Sequence, residues 1–241
     1  MINMLQSENL KYKRTFAKLV VFIAPMYVFA YSLFMNQYFF VNAMNWWSFV
    51  ILPFIIAIVT ALSVIIETKA GQYRTLKSKN INLKNMWTSK IIVIGYYTFI
   101  SSIVIIVSFL VIKLLYNSNL IDIKNLIIGT IIIWITTLIL IPICLFIAEK
   151  FGDFAAIVVT CGGIVAGVIV SVEPMWYLCP WSISSRLMCP ILGLNPNGML
   201  LEPGDPLLDS SVILIGLVVS IAGFIILSLL TSLWFAKKEA R

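Results

Sequence analysis

LVVFIAPMYVFAYSLFMNQYFFVNAMNWWSFVILPFIIAIVTALSVII, residues 19–66, runs for 48 residues without an Asp, Glu, Lys or Arg. A spanning helix needs about 20 apolar residues to cross roughly 30 Å of hydrocarbon, so this stretch holds two. Four more charge-free stretches follow: 91–112, 125–148, 154–172 and 210–236, of 22, 24, 19 and 27 residues. Each has room for one span. The expected fold is an all-α integral membrane protein with six transmembrane helices, near 17–35, 47–66, 90–115, 125–147, 154–173 and 212–235. Together they account for most of residues 1–241, which read as one membrane domain with no soluble one.

Hydrophobic residues make up 61% of the chain and charged residues 11%, against about 25% charged in an ordinary soluble domain. The surplus apolar surface must face lipid or other helices. The first span follows a long polar lead with no small-residue cleavage site after it, so it is expected to be retained rather than removed as a signal.

The placement of the basic residues says more than the net charge of +7. Lys11, Lys13, Arg14 and Lys18 precede span one. Lys69, Arg74, Lys77, Lys79, Lys84 and Lys90 lie between spans two and three, Lys150 between four and five, and Lys237, Lys238 and Arg241 at the end. That puts 14 of the 17 basic residues on one side of the membrane. By the positive-inside rule, both termini are expected in the cytoplasm. Such charges sit among headgroups and imply no nucleic-acid partner.

Ser7–Lys18 reads as an interfacial helix, or as a plain juxtamembrane tail. The hairpin between spans one and two is expected to break between Asn36 and Asn45, where aromatic residues crowd the headgroup level. Pro142 should kink span four. In span five, Gly163 and Gly167 form a G-x-x-x-G pair, expected as a helix-packing face. Residues 173–211 hold six of the nine prolines and a charge of −3, from Glu173, Glu202, Asp205 and Asp209 against Arg186. A structureless loop of that length is uncommon, so it is expected to fold back on the outer face as short helices. Cys179 and Cys189 fall in it, either as free thiols or as a disulfide.

The missing chemistry narrows the function. There is no histidine, which removes His-based triads and H-E-x-x-H zinc sites. No carboxylate lies inside an expected span, where proton-driven carriers keep one. No G-x-x-x-x-G-K-[ST] loop is present, so ATP cannot be bound in the P-loop manner. No catalytic, cofactor or metal site is expected in this chain.

Two stretches carry a family resemblance. Glu67-Thr68-Lys69-Ala70-Gly71-Gln72-Tyr73-Arg74-Thr75-Leu76, continuing to Lys90, matches in position the cytoplasmic loop of ABC-2 type permeases. Pro180-Trp181-Ser182-Ile183-Ser184-Ser185-Arg186-Leu187-Met188-Cys189-Pro190-Ile191-Leu192-Gly193-Leu194-Asn195-Pro196-Asn197-Gly198 is very similar to permeases of lantibiotic-immunity transporters, the MutE/EpiE type. The ending Ser232–Ala240 is similar to the same group.

The resemblance implies a multi-pass permease subunit of a bacterial cell membrane. It would pair with a second, related permease and with two copies of a separate ABC ATPase that binds ATP and Mg. The cargo implied is a lantibiotic or similar cationic antimicrobial peptide, expelled from the membrane to protect the cell. The alternative is an ABC-2 exporter for lipid, polysaccharide precursor or small drug. The resemblance makes Glu67, Lys69, Gly71, Arg74 and Leu76 the ATPase-coupling residues of loop 67–90. Trp181, Arg186, Pro190, Asn195, Pro196, Asn197 and Gly198 become candidates for facing the substrate.

Overall fold

The computed structural model describes residues 1–13, 15–70, 82–116 and 122–237. Most of these residues are helical, and the only β-type pairing among them is a single bridge between Leu194 and Leu200. In chain order the helices are α1 (Ile2–Tyr12), α2 (Phe16–Ser32), α3 (Phe39–Trp46), α4 (Leu52–Lys69), α5 (Leu83–Tyr116), α6 (Ile123–Thr137), α7 (Leu140–Phe151), α8 (Asp153–Val170), α9 (Ser182–Leu192) and α10 (Ser211–Ala236). In a bilayer no water satisfies the backbone, so helices that close their own hydrogen bonds are the form these apolar runs can take.

Among the described residues, five helical stretches are long and apolar enough to cross a membrane: Phe39–Lys69, Leu83–Leu115, Ile123–Phe151, Asp153–Val170 and Ser211–Ala236. A sixth is added if α1 and α2, bent by 72° at their junction, count as one span. The chain is a multi-pass, all-α membrane protein.

The elements differ from the sequence expectation at their joints. The N-terminal helix starts at Ile2 and ends at Tyr12, rather than covering 7–18, and Thr15 is extended before α2 begins. The first hairpin breaks at the tightly wound turn Leu33–Tyr38. From Phe39 onward the chain is one helix through α3, a widened turn at Trp47–Ile51, and α4. The polar residues that suggested a later break find partners inside the bundle. Ser32 Oγ donates to Asn42 Oδ1 (3.3 Å), and Ser48 Oγ donates to the Asn45 carbonyl (2.9 Å). Span three starts at Leu83, seven residues before its expected beginning. In span four the helix loosens at Leu138–Ile139, between α6 and α7. Pro142 has no N–H to offer the Leu138 carbonyl four residues back, which accepts instead from the Ile141 N–H (3.0 Å).

The spans through α3–α4 and α6–α7 are central: 56% of the most apolar part of each is buried, against 17% for α10. Among helices in lipid there is little hydrophobic drive, so small residues and hydrogen bonds hold the contacts. Trp87 Nε1–H donates to Thr231 Oγ1 (3.0 Å), tying α5 to α10, while the Trp87 ring stacks on Phe235 at 4.4 Å. Ser101 Oγ donates to the Val21 carbonyl (2.7 Å), tying α5 to α2.

The segment between α8 and α10 does not lie flat on the bundle. Every residue from Ser182 to Cys189 in α9 is buried, on all sides of the helix. Glycines on the surrounding helices make the room. A Cβ at Gly163 would sit 2.5 Å from Trp181 Cε2, one at Gly167 2.9 Å from the Trp181 carbonyl oxygen, and one at Gly216 2.8 Å from Leu187 Cδ1. The G-x-x-x-G pair of α8 therefore receives Trp181 and the start of α9, a short helix of the same chain. Gly162, beside the pair, faces open space.

Overpacking a fitted contact costs about 1–3 kcal/mol. Gly163→Leu is therefore expected to lower the melting temperature of the purified protein clearly, and Gly162→Leu to leave it unchanged. Equal effects would show that Trp181 is not seated against Gly163.

Candidate functional site

The site is built where three elements meet at the ends of loop 70–82. α1 brings Glu8 and Lys11, three residues apart and so on one helix face. α4 brings Ser63 and Glu67, one turn apart at its end. α5 brings Lys90, two turns in from its start. Lys90 Nζ donates to Glu67 Oε1 (2.7 Å), Glu8 Oε2 (3.0 Å) and Ser63 Oγ (3.4 Å). Lys11 Nζ pairs with Glu8 Oε1 (2.5 Å) and with Glu67. Each carboxylate thus bridges both ammonium groups, and the four charges cancel.

The cluster is deep. The Lys90 side chain is 1% exposed, those of Glu8 and Glu67 3%, and that of Lys11 24%. Burial alone would pull the Lys11 ammonium down, but Glu8 and Glu67 outweigh it and hold Lys11 above its ordinary value. Beside the charges, Tyr97 Oη donates to Asn9 Oδ1 (2.8 Å) and the Tyr12 and Tyr97 rings meet at 5.1 Å, adding a second fastening of α1 to α5. The cluster is an ionic clamp that joins α1, the end of α4 and the first turns of α5.

Of the expected coupling residues, Glu67 belongs to the clamp and Lys69 is exposed on the last turn of α4. Gly71, Arg74 and Leu76 lie outside the described residues. Lys90, which its place in the sequence assigned to the headgroups, is a buried partner of the clamp. Glu8 was not singled out at all. A usable signal was present: Glu67 and Lys90 are opposite charges closing the two apolar runs that flank one loop.

Of the second group of expected residues, Arg186 and Pro196 are buried, Trp181, Pro190, Asn195 and Gly198 are half-buried, and Asn197 is exposed. Trp181 is half-buried against α8. Arg186 is 6% exposed, donates from Nη1 to the Leu207 carbonyl (2.8 Å) and lies 6.0 Å over the Trp176 ring. It anchors the later part of the segment to α9. Pro190 is in the last turn of α9, which Gly193 ends in a left-handed conformation at φ 67°. Asn195 Oδ1 accepts from the Asn197 N–H (3.1 Å), and Asn197 Oδ1 from the Met199 N–H (3.0 Å). Pro196 is buried, and Gly198 supplies φ 89° where the turn passes Asn45. Cys179 and Cys189 are separate thiols, and burial pushes the Cys189 thiol up to about 11.

Asn197 apart, what this segment exposes is a different set. Glu173, Glu202 and Asp209 face outward, together with Met175, Leu178, Met199 and Leu200. The Ser211 hydroxyl and N–H both donate to Asp209 and hold its carboxyl below the usual range, so it stays charged into acid. No protein-family model matches this chain, and no curated protein or solved structure shows significant similarity to it.

Removing one member of a buried ionic group leaves a lone charge and costs about 3–5 kcal/mol. Lys90→Met is expected to destabilise the protein by that order. Glu8→Gln added to Lys90→Met should recover part of the loss, because Lys11 and Glu67 remain as a neutral pair. Thermal unfolding of the two variants checks this, and a double variant less stable than the single would contradict the charge balance.

Proposed function

We propose that this chain is the permease subunit of an ATP-driven exporter of the ABC-2 type, working in a bacterial cell membrane with both termini in the cytoplasm. In this reading α1 lies along the inner face and loop 70–82 docks on a separate ATPase. The observation that carries it is the ionic clamp. A docking loop is useful only if force on it reaches the spans, and here both ends of the loop and α1 are bound by a buried, fully paired charge cluster. A loop that merely joined two spans would need no such joint.

The cargo in this reading is a cationic amphiphilic peptide of the lantibiotic kind, taken from the outer leaflet and released to the medium for self-protection. A second, related permease and two ATPase copies complete the exporter. Support comes from the exposed side of residues 171–210, which offers carboxylates beside apolar side chains. A positively charged peptide with an apolar face is complementary to that surface.

Cells co-expressing this chain, its ATPase and the second permease are loaded with a cationic lantibiotic, and peptide on cells is compared with peptide in the medium. The expected result is release that vanishes when the P-loop lysine of the ATPase is replaced. Arg74→Glu or Gly71→Pro should abolish co-purification of the ATPase while the permease still reaches the membrane. A normal complex in both variants would sink the docking role, and release indifferent to the ATPase lysine would sink the exporter.

A further inference from the structure

Between α2 and α5 the bundle carries a groove of about 500 Å³, floored by Phe29 and walled by Met26, Val104, Val107, Val111 and Leu115. We propose that it is a binding site for one acyl chain of a membrane phospholipid, in the leaflet at the C-terminal end of α5. This needs only that the chain spans a membrane, and does not depend on the exporter reading.

The chemistry of the walls selects hydrocarbon. One polar side chain lines the groove, Ser108, and its hydroxyl is already used within the protein, donating to the Val104 carbonyl (2.9 Å) and approaching Met26 Sδ (3.6 Å). Nothing there offers a free donor to a peptide or a sugar. The groove also opens outward: Met26, Val107 and Val111 are each about half exposed, on helices whose surroundings are lipid.

Its dimensions select a chain rather than a helix. The lining runs from Ile103 to Leu115 on α5, about 18 Å at 1.5 Å per residue. One leaflet of a roughly 30 Å core is about 15 Å deep. The lining is thus about as long as one leaflet is deep, and it reaches Leu115, next to the last residue of α5. A volume of about 500 Å³ spread over about 18 Å gives a mean section of about 28 Å². A helix about 10 Å across needs about 80 Å². α2 and α5 are also too close for a third helix to enter between them, since Ser101 bonds to Val21 and the Phe29 and Phe109 rings meet at 5.6 Å.

The test is site-resolved photolabelling of the full chain in vesicles of phosphatidylethanolamine and phosphatidylglycerol, doped with a phosphatidylcholine carrying a diazirine at mid-chain. Labelled peptides are mapped and compared with 225–230 of α10, where Ile225, Ile226, Leu229 and Leu230 are exposed. Labelling of 103–115 is expected to exceed that of α10 several-fold, and Val104→Trp, which fills the groove, to reduce it to the α10 level. Val107→Trp, at a half-exposed position that folding tolerates, should do the same. Equal labelling of the two helices in the native chain overturns the proposal and leaves ordinary annular lipid. Undiminished labelling in a folded Trp variant overturns it as well. Protection of 103–115 from the probe, with cross-linking to a second polypeptide instead, would show that protein covers the groove.

Discussion

A lysine side chain with 1% of its surface exposed, at the mouth of a long apolar helix, is the constraint around which one end of this molecule is organised. An ammonium group there is tolerable only if carboxylates come to it. Glu67 arrives from the antiparallel neighbour and balances Lys90 in charge. α1 then adds Glu8 and Lys11 together, so the cluster stays neutral while each ammonium gains a second carboxylate. The bend after Tyr12 and the docking of α1 on α5 bring that pair in, and they share one electrostatic site with the alignment of α4 and α5. The same cluster ties the end of α4 to α5 through Glu67 and Lys90.

At the other end the ruling quantity is size, not charge. α9 is an 11-residue helix buried on all sides, and helices in lipid gain little from simply hiding apolar surface. Its place depends on missing side chains: glycines on α8 and α10 leave hollows for Trp181 and Leu187. Polar atoms then fix the seating. Ser184 Oγ donates to the Ser48 carbonyl in the widened turn before α4 (2.8 Å), and Arg186 holds the returning chain through Leu207. The residues of the Pro180–Gly198 motif are mostly this framework, and the surface they support is made by neighbours such as Glu202 and Met199.

The helices were legible because charge-free length is a strong signal in a membrane chain, and Pro142 announced its kink for a covalent reason. The joints were not. Asn45 read as the far edge of a break because its side chain favours turns, yet it lies within a helix, where its carbonyl accepts from Ser48 and the neighbouring Asn42 accepts from Ser32 across the hairpin. Gly163 and Gly167 announced a close approach without saying that an indole would make it. Lys90 and Glu8 were hidden by a rule that is right on average. Basic residues beside spans usually meet headgroups, and only the three-dimensional meeting of α1, α4 and α5 distinguishes the one that does not. What a side chain does at the boundary depends on its neighbours from other helices, and a single sequence carries no direct record of these.

The two ends are mechanically connected. α4 begins beside the widened turn that receives Ser184 of α9, and ends in the clamp at Glu67. α5 begins near the clamp at Lys90 and runs the length of the bundle, bonded to α2 at Ser101 and to α10 at Trp87. Pulling α4 away from α5 at the clamp separates paired charges in a nearly dry site. The far end of α4 meets α9 through small residues and single hydrogen bonds, each worth about 1 kcal/mol in a membrane. Coupling between the two ends is reciprocal: whatever shifts α9 acts back on the clamp by the same free energy. The contacts around α9 therefore yield before the paired charges at Lys90 do, and the clamp end of α4 is the fixed one.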